Sequence, residues 1–116
     1  SLGDLEKEIA VPQRILQVNF KFNMTRAQYE QFCLSGAPQL VAVPGLLWKV
    51  WIMNETSFEA GGIYLFQDAS SLQSFVSALT GMLSAPEFTD VSIKPFDILD
   101  ELTQITHGPI RRTAEI

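Results

Sequence analysis

The 116-residue chain carries 47% hydrophobic and 18% charged residues, with seven glycines, six prolines and one cysteine, the profile of one globular domain rather than two. Eight Lys and Arg against thirteen Asp and Glu leave a net charge of −5, and no basic cluster exceeds Arg111-Arg112, so neither nucleic acid nor an anionic membrane is an expected partner. A lone cysteine excludes an intrachain disulfide framework and a thiolate-rich zinc site, and Cys33 reads as a small buried apolar residue. No apolar run approaches the roughly 20 residues of a membrane span, and the N-terminal stretch lacks a signal-peptide layout. A cytoplasmic location is the expectation.

Residues 1–14 read as an N-terminal extension, 15–107 as the folded domain and 108–116 as a C-terminal tail. From Ile15 to Phe22 the pattern has period two, with Leu16, Val18, Phe20 and Phe22 on one face and Ile15, Gln17, Asn19 and Lys21 on the other, which predicts a strand with one apolar face. Thr25 caps a helix that begins at Arg26, and Gln28 stands where it completes a capping box. Tyr29, Phe32, Cys33 and Leu40 supply an apolar stripe, but Gly36 and Pro38 interrupt it. A break is expected near Ser35 to Pro38, followed by another turn or two to about Ala42.

After a Pro44-Gly45 turn, Leu46 to Asn54 reads LLWKVWIMN, a strand rich in bulky residues. One parity holds Leu46, Trp48, Val50 and Ile52, the other Leu47, Lys49, Trp51 and Met53, so cover is required on both sides. Ala60 to Gln67 makes its hairpin partner, with Gly61-Gly62 marking a bulge or a close backbone approach. Asp68 or Ser70 caps a second helix whose Leu72, Phe75, Val76, Leu79 and Leu83 form one buried stripe. Val91 to Ile98 predicts an edge strand, because Pro95 lacks a donor. Residues 102–107 are expected to add an edge strand or reach a partner subunit.

Strand, helix, strand, strand, helix, strand is the ferredoxin-like split βαβ order, with four antiparallel strands and both helices on one sheet face. The opposite face, expected to carry Trp48 or Trp51 with a set drawn from Leu47, Met53, Tyr64 and Phe66, needs another cover. A second copy of the same sheet provides one, which predicts a two-fold homodimer with a barrel-like interior.

Dinucleotide, P-loop, zincin and GxSxG motifs are all absent from the sequence. One histidine cannot build a two-histidine metal site within a subunit, and His107 beside Gly108-Pro109 reads as a tail residue. The informative run is Trp48-Lys49-Val50-Trp51, faced across the hairpin by Tyr64. These residues either pack core and interface, with Lys49 reaching solvent or a carboxylate, or line an aromatic pocket with Gln17, Asn19, Lys49 and Tyr64 as polar contacts. Asp97 is a candidate partner for a pocket lysine.

Gly45-Leu-Leu-Trp-Lys-Val-Trp51 and Glu59-Ala-Gly-Gly-Ile-Tyr-Leu-Phe66 resemble the signature of the YdhR-like monooxygenases, small proteins of the dimeric α+β barrel superfamily. Gln17-x-x-Phe20-x-Phe22 and Phe96-Asp-x-x-x-x-Leu102-x-Gln-Ile105 are similar to the same family's first strand and C-terminal segment, so the resemblance covers about residues 15–106. It implies a homodimer and a monooxygenase acting on a small aromatic molecule, a phenol or hydroquinone, with dioxygen and no metal, flavin or other cofactor. The matching residues imply Lys49 and Tyr64 as catalytic groups stabilising a phenolate, with Trp48 and Trp51 in the substrate pocket. Asn19 stands where a histidine occurs in a related protein, so no base is supplied there. The alternative is a non-catalytic dimeric binding or interaction domain whose aromatics only hold the sheets together.

Overall fold

The computed structural model describes residues 11–111; the parts of the expected extension and tail at 1–10 and 112–116 lie outside the described residues. In chain order the elements are β1 (Arg14–Lys21), α1 (Arg26–Leu40), β2 (Leu46–Asn54), β3 (Glu59–Phe66), α2 (Ala69–Met82), β4 (Thr89–Asp97) and α3 (Asp100–Ile105). The strands pair antiparallel in the order β2-β3-β1-β4. This is the expected ferredoxin-like α+β fold, with a short helix after the last strand. Among the described residues no helix is long and apolar enough to cross a membrane.

Period-two alternation places Leu16, Val18 and Phe20 of β1 opposite Tyr64, Gly62 and Ala60 of β3, and these side chains meet the helices. Leu72, Phe75 and Leu79 of α2 and Tyr29 of α1 complete the buried core. Ring pairs knit the two layers together: Phe22–Tyr29 and Tyr64–Phe75 at 5.1 Å, Phe66–Phe75 at 5.4 Å, each worth about 0.5–1.5 kcal/mol beyond the area it buries. The Asp68 side chain caps α2 by accepting from the Ser71 N–H at 2.8 Å. As Pro95 predicts, β4 lies at a sheet edge.

Strict alternation fails in β2. Leu46 pairs with Phe66 while Trp48 pairs with Leu65, so Leu47 is an extra residue at a bulge, and the parity changes across it. Leu46 therefore joins the helix-side core, whereas Trp48, Val50 and Ile52 face away. The register sends Lys49, Trp51 and Met53 to the helix side, opposite Tyr64, Gly62 and Ala60. Met53, Tyr64 and Phe66, expected among the residues opposite the helices, belong to the helix-side cluster instead.

Two further expectations are corrected. Helix α1 runs unbroken through Gly36 and Pro38; Pro38 costs the bond to the Leu34 carbonyl, but Leu34 is exposed, so water can satisfy that oxygen. Residues 100–105 form α3 rather than a strand. Neither sheet edge is paired with this segment among the described residues.

The outer sheet face carries Ile15, Gln17 and Asn19 from β1, Trp48, Val50 and Ile52 from β2, Ile63 and Leu65 from β3, and Phe96 from β4. The chain after α3 turns back onto it: the Trp48 indole N–H donates to the Pro109 carbonyl at 2.8 Å, and the Arg111 N–H donates to Gln13 Oε1 at 2.8 Å. Even so, Val50 and Phe96 on this face stay about half exposed, at 51% and 47%, and Leu99, Leu102 and Ile105, at the start of and within α3, are more exposed still.

Candidate functional site

Helix α1 begins at a reciprocal capping box, in which the Gln28 N–H donates to Thr25 Oγ1 at 3.2 Å and the Thr25 N–H donates to Gln28 Oε1 at 3.0 Å. The box fixes the start of the helix, and Tyr29, Cys33 and Ala37, four residues apart, then fall on one face. That face and the helix-side residues Trp51 and Met53 of β2 enclose a cleft of about 560 Å³, within the size range of small-molecule sites. At its rim Arg26 pairs with Glu30 at 2.7 Å and reaches Glu55 of the β2–β3 turn at 3.4 Å, so α1 and the hairpin tip are joined at the mouth. The walls are aromatic and sulfur-bearing; the charges stay at the rim.

Lys49 lies behind this wall. Its Nζ stands 3.3 Å from the centre of the Trp51 ring and 4.7 Å from that of Tyr64, a cation–π seat in which one ring also lines the cleft. Among the described residues no carboxylate lies within ion-pair distance of it. Burial without a counter-charge pushes the Lys49 ammonium down to about 8, with only a weak opposing effect from Cys33. Burial likewise pushes the Tyr64 and Tyr29 hydroxyls up, so both remain protonated near neutrality.

Gly62 makes this seat possible. A Cβ there would lie 2.5 Å from Lys49 Cε and 3.2 Å from Tyr64 Cε1, inside van der Waals distance, so the lysine stem occupies the space that any larger residue would fill. Gly61 has a different role, since a Cβ on it would overlap the Val18 carbonyl of the neighbouring strand. The expected close backbone approach is thus at Gly61, and the register shifts of the sheet lie elsewhere, at Leu47 in β2 and between Thr89 and Ser92 in β4.

The sheet separates the six candidate residues. Lys49, Trp51 and Tyr64 come together on the helix side; Gln17, Asn19 and Trp48 lie on the outer face. There the Gln17 amide donates to Asn19 Oδ1 at 2.9 Å, and Trp48 is tied to Pro109. One cavity within a single chain cannot hold both sets. Asp97 is a surface carboxylate paired with Arg14 at 3.0 Å, on the strand farthest from Lys49. His107 is exposed, in a left-handed backbone conformation with φ 63°. Among the described residues no group of three His, Cys, Asp or Glu side chains converges as metal ligands would.

Three residues of the cleft lining were not among the expected site residues: Tyr29 and Cys33 read from the sequence as a buried helix stripe, and Met53 as part of the face opposite the helices. Cys33 is half-buried on the cleft wall beside Tyr29. The four-residue spacing of Tyr29, Cys33 and Ala37 was the available signal.

Over residues 15–109 the chain matches the family model described as "Putative mono-oxygenase ydhR". Among curated proteins none matches it. A crystal structure of NE2512, a protein of unknown function from Nitrosomonas europaea, is similar at a TM-score of 0.62 and 19% identity, over 77% of this chain and 91% of that one. At that identity the likeness concerns the fold alone.

Proposed function

The chain belongs to the ydhR mono-oxygenase family, and we propose that its cleft between α1 and β2 binds a small phenol or hydroquinone for oxidation by dioxygen without metal or flavin. The observation that carries this reading is Lys49: a cation with no counter-ion among the described residues, desolvated between Trp51 and Tyr64 beside an aromatic-walled cleft of about 560 Å³. An anionic substrate oxygen supplies the charge the site lacks. A neighbouring cation favours the deprotonated form, and a phenolate gives up an electron to dioxygen more easily than the neutral phenol does. The phenolate gives one electron to dioxygen, the phenoxyl radical and superoxide recombine at a ring carbon, and loss of water leaves a quinone. Phenol and dioxygen thus balance against quinone and water. Trp51 offers the stacking surface and Tyr64, held protonated by burial, a hydrogen-bond donor.

In the same reading the outer sheet face packs on that of a second copy. Val50, Ile63 and Phe96 supply apolar area, and Gln17, Asn19 and Trp48 stand between the two sheets, which explains why they do not meet Lys49.

The test is oxygen uptake by metal-stripped, flavin-free protein with a panel of phenols and hydroquinones. Uptake above buffer, reduced in Lys49→Met, is expected. Phenol binding with no uptake across the panel overturns the oxygenase reading and leaves a dimeric ligand-binding domain.

A further inference from the structure

We propose that the cleft between α1 and β2 selects among phenols by the charge of the substituent left at its mouth, taking a phenol with an aliphatic ammonium arm in preference to its neutral or carboxylate counterpart. The inference rests on the reading of the cleft as a phenol site and supplies the specificity of that site. It concerns binding and requires no oxidation. Glu30 and Glu55 are the specificity-determining residues, and Arg26 moderates them.

The lining of the cleft divides by charge. Tyr29, Cys33, Trp51 and Met53 make uncharged walls, and the charged residues that line it, among those described, are Arg26, Glu30 and Glu55 at the rim. One guanidinium against two carboxylates leaves the rim with one unit of negative charge. Arg26 meets Oε1 of Glu30 at 2.7 Å and Oε1 of Glu55 at 3.4 Å, and among the described residues no ion pair engages the second oxygen of either. An ammonium can be received there without displacing Arg26, because a carboxylate has acceptor sites to spare. A carboxylate arm meets the reverse: two glutamates, and a guanidinium already held by both. Along the helix-side positions of β2, Lys49, Trp51 and Met53 follow one another toward the turn that carries Glu55. Lys49, behind the Trp51 ring, is thus set away from the rim, and the strand is positive toward one end of the cleft and negative toward the other. A ring against Trp51 and Met53 with an ammonium arm toward Glu55 follows that gradient. At a separation of about 6 Å in water, the rim's one net charge favours a cation or disfavours an anion about threefold each at low salt.

The experiment titrates the full chain under argon with tyramine, para-ethylphenol and para-hydroxyphenylpropionate, followed by ligand NMR. The three share a phenol and a two-carbon arm and differ in the charge at its end. At about 10 mM salt tyramine should bind about five- to tenfold more tightly than the carboxylate, with the neutral phenol between them, and the ratio should fall below about twofold at about 1 M salt. Glu55→Gln neutralises the rim and should bring the low-salt ratio to near unity, whereas Arg26→Gln leaves two carboxylates and should raise it by about another fivefold. Shifts in opposite directions are not what a damaged fold produces. Glu101→Gln, on α3 and outside the cleft lining, removes the same charge as Glu55→Gln and should leave the ratio within about twofold, which separates the rim from the overall charge of −5. Equal affinities, a preference for the carboxylate, no binding of any of the three, or equal effects of Glu101→Gln and Glu55→Gln overturn the proposal; the wild-type series and its salt dependence decide even if a variant fails to fold. Because dioxygen is absent, the two readings fail separately. A tyramine preference without phenol-dependent oxygen uptake supports the specificity and removes the oxygenase reading; uptake without the preference does the reverse.

Discussion

Replacing Lys49 with methionine should make the protein more stable, and the size of the effect follows from competing terms. The ammonium is lowered from its ordinary 10.5 to about 8 by burial, and at about 1.4 kcal/mol per tenfold change in proton affinity this amounts to about 3 kcal/mol against the charged form. Lys49 is only half-buried, so solvent screening reduces the penalty to about 1–2 kcal/mol. Contact with the Trp51 and Tyr64 rings returns about 0.5–1 kcal/mol. Methionine preserves the stem's volume and apolar contacts, so Lys49→Met should gain about 1 kcal/mol at pH 7, a rise in Tm of about 4 °C for a domain of this size. The pH dependence identifies the cause. Because the folded-state value lies below the unfolded one, the unfolded chain binds more protons between about pH 8 and 10.5, and wild-type stability rises relative to the variant across that window. Urea unfolding of both proteins at pH 7 and pH 10.5, at one protomer concentration, measures the gap, and the other titrating groups cancel in the difference. A destabilised variant at pH 7, or a gap that stays constant to pH 10.5, would refute the desolvation argument. Gain of stability with loss of activity would mark Lys49 as a residue kept for chemistry.

Gly61→Ala should cost about 3 kcal/mol in urea unfolding, because its Cβ meets the rigid Val18 carbonyl, whereas Gly62→Ala should cost about 1 kcal/mol, because the lysine end can swing aside and the Tyr64 ring need shift only slightly; equal costs would contradict the separate roles assigned to them. Val50→Asp, on the outer face, should convert a dimer of twice 12.9 kDa into a monomer in light scattering, and a wild-type mass that stays monomeric at all concentrations rejects the sheet-to-sheet interface. Thr25→Ala removes one half of the α1 capping box and should cost about 1 kcal/mol of stability, with a weaker hold on the Tyr29 and Cys33 wall read out as lower ligand affinity.

What was legible in the sequence was whatever local chemistry decides. The β1 alternation, the Thr25 and Asp68 caps, the α2 stripe and the edge position of Pro95 all follow from residues within one element, and the element order then leaves few ways to build the sheet. What was not legible depends on partners remote in sequence. The insertion at Leu47 appears only when β2 is set against β3, because period-two counting assumes that no residue is left over. A single extra residue moves Leu46 to the helix side, with Lys49, Trp51 and Met53 rather than with Trp48. Pro38 was read as a break because local sterics say so, yet its lost hydrogen bond falls on an exposed turn where water serves in place of the backbone. The same limit explains the site. Trp48, Lys49 and Trp51 lie close together on one strand, but sheet geometry sets Trp51 in a cleft wall with Tyr29 and Cys33 from another element, with Lys49 behind that wall, and sends Trp48 to the opposite face. The surplus of apolar residues on β2 therefore has two destinations. Trp51 and Met53 wall a cleft within the chain, and Trp48 and Val50 lie on the outer face, which the proposed second sheet would cover. A substitution on β2 should affect ligand chemistry or assembly according to its parity counted from the bulge.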